Sequence, residues 1–198
     1  SMYGYNYIGR KFFQNIHNID PIYLNKDIDF NNLELKDSIH HIRNSWLDFK
    51  TNQINYLIQD LNQLLIKYND KFSKNIKLSV AVKPDIYEAK VRWAQNWDYW
   101  LNNDFIDFVV VMNYFSDMES FSNSLWKLYK YFYNTKNIDK MYIGINTIDQ
   151  NLGDFELKDI DLIKSQVKNI QDFSFPGVAI FSSEYYNFYP TLYLEIFP

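Results

Sequence analysis

The chain has 198 residues, 47% of them hydrophobic, and a formal net charge of −4. It is long enough for one domain with a sizeable core, and the lack of cysteine excludes disulfides and thiolate chemistry. No hydrophobic run reaches the ~18 residues of a membrane span, and no basic stripe indicates a nucleic-acid surface.

The first two residues, Ser1-Met2, are typical of a remnant left by tag removal. We therefore expect residues 3–198 to form a single domain. The sequence does not determine the cellular compartment, although an extracytoplasmic or cell-surface location is compatible with it.

Hydrophobic periodicity predicts helices and strands that alternate along most of the chain. The predicted helices are a short one at Arg10–Ile16, a long one at Ser38–Tyr68, and further ones at Val91–Leu101, Glu119–Tyr133 and Leu157–Ile170. The predicted strands are Lys77–Val82, Asp107–Met112, Met141–Asn146 and Gly177–Phe181. The apolar tail TLYLEIF is predicted to be a small strand or a strap across the core.

The predicted strands are continuous apolar runs, which are typical of a parallel sheet covered on both faces. The sequence thus predicts an α/β fold of four parallel strands alternating with helices, connected by right-handed crossovers. In such a sheet the carboxyl ends of the strands share one side, where ligands bind.

Polar side chains follow each predicted strand at this shared side. Lys83 follows the first strand, Asn113 and Tyr114 the second, Asn146 the third, and Tyr185 the fourth. Amides, an ammonium group and aromatic rings suit a polyhydroxylated ligand, so these five residues are predicted to bind an oligo- or polysaccharide.

Two carboxylates, Asp117 and Glu184, are the candidate catalytic pair, because glycoside hydrolysis uses two acids in one pocket. The simpler alternative is that polar residues at loop starts are structural. Trp93, Trp97 and Trp100 have helical spacing, which favours a core role over a sugar platform, and the charge run KDIDLIK is predicted to be a solvated helix face.

No motif indicates a cofactor or a metal. The chain lacks the glycine-rich phosphate loops of nucleotide-binding proteins. Its three histidines do not have the spacing of metal ligands. Ser182-Ser183 lacks the G-x-S-x-G elbow that holds the nucleophilic serine of α/β-hydrolases.

The stretch WAQNWDYWLNNDFIDFVVVMNYFSDMESF resembles the glycosyl-hydrolase-like 10 family of TIM-barrel glycoside hydrolases, in which a W-x-x-W-L helix precedes a strand similar to I-D-[FY]-[VI]-x-P-M-x-Y. The ending IKSQVKNIQDFSFPGVAIFSSEYY and the start YGYNYIGRKFFQNIHNIDPIYL are also similar to that family. Three positions depart from the family pattern. Val111 stands where the family often has proline, Asn18 where it has glycine, and Phe49 where it has tryptophan.

The resemblance implies that this chain corresponds to strands five to eight of a (β/α)8 barrel. The family's favoured catalytic aspartate follows strand four, which the resemblance places before this chain. A full barrel needs about 250 residues, and we predict only four strands here.

A half barrel would have two unpaired edges, at Lys77–Val82 and Gly177–Phe181, which invite pairing. Two copies of the chain could pair, the strands could open into a doubly wound sheet, or the N-terminal segment and tail could cover the edges. A missing N-terminal half-barrel is the other potential partner.

The resemblance and the strand-end residues together predict a bacterial glycoside hydrolase-like domain that binds or acts on a carbohydrate. The sequence does not decide whether the chain is an enzyme. The alternative is a non-catalytic carbohydrate-binding or protein-interaction domain, because the strand-four carboxylate is absent.

Overall fold

A computed structural model describes residues 5–25, 33–151, 154–183, 191 and 194 of the chain. Its main sheet has four parallel strands, as the sequence predicts. They are β1 (Ser79–Val82), β2 (Phe108–Met112), β3 (Met141–Asn146) and β6 (Val178–Phe181). The third strand has the predicted bounds, and the other three begin one or two residues later than predicted.

The four strands lie side by side in the order in which they occur along the chain, β1-β2-β3-β6. The register places Val82, Val111, Ile143 and Val178 in one row across the sheet. A doubly wound sheet reverses its strand order part of the way across. The four described strands show no such reversal, so this part of the sheet is not doubly wound.

Six α-helices are described, and most match the predicted ones. They are α1 (Tyr7–His17), α2 (Leu33–Phe72), α3 (Ile86–Trp93), α4 (Trp97–Asn102), α5 (Met118–Phe132) and α6 (Ile160–Asp172). A short 3-10 helix, Pro21–Asn25, follows α1, and another, Ile138–Lys140, precedes β3.

The single helix predicted at Val91–Leu101 is wrong, because two helices meet there. Helix α3 ends at Trp93, and the residue that caps it, Ala94, has a φ of 57° and an N–H that donates to the carbonyls of Ala89 and Lys90. Alanine carries no sequence signal for this left-handed conformation, which favours glycine or asparagine. The side chain of Gln95, next to the break, then bonds the edge of β1 through Lys83 N (2.9 Å) and Ala81 O (3.5 Å).

The start of the helix predicted at Leu157–Ile170 is also wrong. Leu157 ends the second strand of an antiparallel hairpin, β4 (Ile148–Asn151) with β5 (Asp154–Leu157), which periodicity does not predict. Helix α6 begins at Ile160, where the carboxylate of Asp159 accepts a hydrogen bond from Asp161 N at 2.7 Å.

One face of the sheet, which we call the helix face, packs against the helices. Its residues Val109, Val111, Ile143 and Ile145 are fully buried. The side chains that cover them include Trp97, Leu101, Phe121, Leu125, Ile163 and Val167. Burying apolar area of this kind stabilises a domain by roughly 25 cal/mol per Å².

The opposite face, which we call the open face, carries Phe108, Val110, Met112, Tyr142, Gly144, Ala179 and Phe181, by the strand alternation and the register. Apart from Gly144, these residues remain partly or largely exposed, and Phe181 is 63% exposed. The expectation that both faces are covered is therefore not met within the described residues. The strands are apolar on both faces, while the described helices cover one.

The N-terminal helices build a smaller cluster beside the main core. Phe13, Leu24 and Trp46 are buried there, and Arg10 forms a two-pronged ion pair with Asp20. That ion pair lowers the pKa of Asp20 to about 2. Farther along α2, Ile58 enters the main core, so this one helix contacts both clusters.

Candidate functional site

The candidate site lies where the carboxyl ends of β2, β3 and β6 meet. The ring of Tyr114, two residues after β2, stacks on the ring of Phe181 with centroids 6.0 Å apart and planes 18° from parallel. Phe181 was not predicted as a site residue. As the last residue of an apolar strand it resembles a core residue in the sequence, and only the register places it on the open face.

Gly144 makes room for this aromatic pair. A Cβ atom added at Gly144 would lie 3.3 Å from Tyr114 Cε1 and 3.2 Å from Val111 O, closer than most real Cβ contacts. The Tyr114 ring thus lies against the backbone of β3, where burial raises the pKa of its hydroxyl. The glycine of the MYIGIN strand therefore shapes the open face.

Asn113, the residue next to Tyr114, is directed away from the open face. It is fully buried, and its side-chain Nδ2 donates to Phe121 O at 3.3 Å. Its backbone N–H donates to Gly144 O at 3.0 Å. Asn113 thereby joins the end of β2 to α5 and to β3, which positions Tyr114.

A buried lysine lies at the end of β3. Lys158 is only 3% exposed, and its Nζ donates to Asn146 Oδ1 and to Phe115 O, both at 2.7 Å. Phe115 O also accepts a hydrogen bond from Gln166 Nε2 at 2.9 Å. The lysine amine, an amide and a carbonyl that converge in this way form a preorganised polar cluster beside the aromatic pair.

Lys158 corrects the prediction that KDIDLIK is a solvated helix face. The residue precedes the N-terminal cap of α6, so it does not share the exposed side of that helix. Its backbone N–H donates to Thr147 O, which turns it inward beside β3. The hairpin that reverses the chain here was not predicted, and no other sequence signal marks the lysine as buried.

Asp117 caps the N-terminus of α5. Its Oδ1 accepts a hydrogen bond from Ser120 N at 2.7 Å, and this bond lowers the pKa of the carboxyl below its usual 3.8. The capping contribution to stability is consequently present above the unfolded-state pKa and is lost as the pH falls through the lower folded-state value. At neutral pH Asp117 is an ionised acceptor.

Lys83 lies apart from the aromatic pair, on the other side of the β2 end. Its Nζ is 5.5 Å from the centroid of the Trp93 ring. Trp93 is only partly buried, unlike Trp97 and Trp100, which are core residues at 0% and 2% exposure as the helical spacing predicts.

The structure thus brings Tyr114, Asn146 and the unpredicted Lys158 and Phe181 to one end of the sheet. Glu184 and Tyr185, predicted to be catalytic and substrate-binding, lie outside the described residues. Within residues 5–25, 33–151 and 154–183, no three histidine or acidic side chains come together as a metal site. In that same part of the chain, no helix is long and apolar enough to cross a membrane.

Comparison with known proteins shows a likeness of fold. No protein-family model matches the sequence, and no curated protein matches it. The structure is similar to the PgaB (BpsB) glycoside hydrolase domain from Bordetella bronchiseptica, with a TM-score of 0.64 and 12% sequence identity. The likeness covers 96% of this chain and 50% of that one, so the chain spans half the length of the glycoside hydrolase domain.

The buried position of Lys158 makes its contribution to stability measurable. Lys158→Met keeps an unbranched apolar side chain but removes the donor to Asn146 and Phe115, and we expect the free energy of unfolding to fall by roughly 1–3 kcal/mol. Urea unfolding of the variant and the wild type measures the difference.

The matched control is Lys168→Met, because Lys168 lies on the exposed side of α6 with its side chain 76% exposed. Its replacement should change the unfolding free energy by less than about 0.5 kcal/mol. Equal losses in the two variants would contradict a structural role of Lys158 at the site.

Proposed function

We propose that this chain is a carbohydrate-binding half of a glycoside hydrolase-like barrel. The observation that carries the proposal is the stacked pair Tyr114–Phe181, on the open face at the carboxyl end of a parallel sheet. Ligands of parallel α/β folds bind at that end. The likeness to a glycoside hydrolase domain supports the same conclusion.

The chemistry of the pair suits a sugar ring. The C–H groups on one side of a pyranose pack against flat aromatic rings, and Phe181 offers a largely exposed ring. The Tyr114 hydroxyl is protonated at neutral pH, as tyrosines ordinarily are, and burial raises its pKa further, so it can donate a hydrogen bond to a sugar hydroxyl. Asn146 and Lys158 bond to each other and to the neighbouring loops at the next strand end, so their part in the proposal is to position the loop that carries Tyr114.

The barrel itself is part of the proposal. Four parallel strands in chain order, with helices on one face and an apolar open face, fit half of a (β/α)8 barrel, whose interior is filled with branched and aromatic side chains. Another half-barrel would then cover the open face. It would come from a second copy of this chain or from an N-terminal half-barrel with strands one to four.

Hydrolysis is proposed only for the complete barrel. Asp117, with its lowered pKa, suits the role of an ionised base or nucleophile rather than of an acid that holds its proton at neutral pH. Glu184 is the other acid of the predicted catalytic pair. The second candidate function is carbohydrate binding without chemistry, which the engagement of Asp117 as a helix cap favours.

Removal of the aromatic pair should weaken carbohydrate binding. We expect Tyr114→Ala with Phe181→Ala to raise the Kd about tenfold or more, since an aromatic contact contributes about 0.5–1.5 kcal/mol beyond its area. Calorimetric titration with glycans that bind the wild type measures the change.

A control pair, Tyr56→Ala with Phe72→Ala, removes one tyrosine ring and one phenylalanine ring from the exposed side of α2. These rings lie outside the site, so the Kd should stay within about twofold of the wild type. Unchanged glycan binding in the Tyr114 and Phe181 double variant would remove the site hypothesis.

Substitution of Asp117 can separate its capping role from a chemical one. Asparagine also caps helices well, whereas alanine does not. Where the protein releases reducing sugar from a glycan that it binds, we expect Asp117→Asn to keep the wild-type melting temperature and to lower the rate at least about 100-fold.

In the same assay Asp117→Ala should lose both activity and thermal stability. Full activity of Asp117→Asn would restrict Asp117 to helix capping. A glycan that binds the wild type and is never cleaved would favour the second candidate function.

The mass of the protein in solution identifies the source of the second half-barrel. One chain has a mass of 24.0 kDa. If two copies close the barrel, light scattering behind gel filtration should give about twice that mass. Phe108→Asp, on the open face, should then return it to one chain, because a charge buried in an apolar interface is costly. A single-chain mass at every concentration would exclude a second copy as the other half-barrel.

A further inference from the structure

A second cleft lies on the helix side of the strand ends, between α3–α4 and α5. We call it the Trp93 cleft, and it has a volume of about 910 Å³. Four cationic side chains line it, namely Lys83, Lys90, Arg92 and Lys127. Small-molecule sites usually occupy 300–1,000 Å³, so the cleft is large enough for more than one sugar unit.

The acidic side chains of the cleft are already engaged within the protein. The carboxylate of Asp85 caps α3 through Glu88 N at 2.8 Å, and that of Glu88 pairs with Arg92 at 2.9 Å. Asp98 accepts a hydrogen bond from the Tyr131 hydroxyl at 3.4 Å. The cleft therefore carries four cations and three carboxylates, a formal net charge of +1, and of these carboxylates only Glu88 forms an ion pair with a cationic side chain of the cleft.

The other three cationic side chains of the cleft are lysines that form no ion pair among the described residues. Within the part of the chain that the structure describes, no carboxylate lies within ion-pair distance of Lys83, Lys90 or Lys127. The Trp93 ring holds Lys83 Nζ at 5.5 Å and Arg92 Cζ at 5.3 Å from its centroid, which is the distance of a cation–π contact. A chain with a net charge of −4 thus concentrates cations in one concave place.

The rest of the lining favours a saccharide over a bare anion. Asn96, Asn123 and Ser124 line the cleft and offer groups that bond hydroxyls. Tyr87 also lines it and is 77% exposed, so its ring is available for stacking. Because the net charge of the whole chain is negative, it repels a long polyanion such as nucleic acid at low salt.

We propose that the Trp93 cleft binds the acidic group of a saccharide, with Lys83, Lys90 and Lys127 around a sugar carboxylate or sulfate. The inference rests on the proposed function, which makes the ligand a carbohydrate, and it adds that this carbohydrate is negatively charged. It makes acidic oligosaccharides the ligand class of this protein.

Hexasaccharides that differ only in charge test the inference. The probes are oligogalacturonate with its methyl ester, and a heparin-derived hexasaccharide with its N-acetylated form that is both desulfated and carboxyl-reduced, so that each second member is neutral. Calorimetric titration at 50 mM salt should show the acidic member of at least one pair binding at least tenfold more tightly than its neutral partner. The difference should shrink at high salt because charge attraction is screened.

A double variant then locates the charge. Lys90→Gln with Lys127→Gln should weaken acidic binding at least tenfold and leave neutral binding unchanged. The control, Lys67→Gln with Lys74→Gln, makes the same change in net charge at exposed positions at the C-terminal end of α2 and beyond it, and it should stay within twofold. Circular dichroism melts verify that both variants fold.

Three results would overturn the inference. They are equal binding of acidic and neutral members in both pairs, equal losses in the two double variants, and equal binding of inorganic polyphosphate of matched charge, which would make the cleft a general anion site. Failure of the proposed function gives a different result. Acidic binding would then depend on Lys90 and Lys127, while Tyr114→Ala with Phe181→Ala changed the binding of no saccharide.

Discussion

The structure depends on one constraint, which is that its parallel strands are apolar on both faces while the described helices cover only one. The helix face buries Val109, Val111, Ile143 and Ile145 completely. The open face presents Phe108, Val110 and Met112, which alternate with Val109 and Val111 along β2 and are only half buried. An apolar sheet face of this kind is stable in water only when another layer covers it. The open face is therefore both the place for a second half-barrel and the floor of the candidate site.

The glycines and tyrosines of the open face show how its shape is built. Tyr114 lies over Gly144, and Tyr142 lies so close to Gly177 that a Cβ atom there would be 2.9 Å from its ring. Tyr142 also packs edge-on against Phe108, with centroids 5.2 Å apart. The rings fill space that side chains would otherwise occupy, which leaves a flat aromatic surface next to the backbone. The rings of Tyr114 and Phe181, at the carboxyl ends of the strands, suit a sugar. Those of Phe108 and Tyr142, nearer the amino ends, suit packing against another protein layer.

The sequence predicted the sheet well because burial leaves a strong pattern. The runs around Val109–Val111 and Ile143–Ile145 are apolar whether a strand is covered on one face or two, so the strands were found to within two residues. The same pattern could not show that the described helices leave the open face uncovered. The break at Ala94 was missed because alanine rarely takes a positive φ, and tertiary contacts rather than local sequence fix it.

The candidate site was harder to predict because it depends on which way side chains point. Asn113 and Tyr114 are neighbours, yet one is buried beneath α5 and the other lies on the open face. Lys158 illustrates the same limit, since a lysine in a charged segment is usually solvated. Here it donates to Asn146 and Phe115, and so joins the end of β3 to the loop after β2. The same loop brings Phe115 to the wall of the Trp93 cleft. A ligand that moves this loop at the open face would therefore also move the wall of the cleft, which gives the two surfaces a physical connection through residues 113–115.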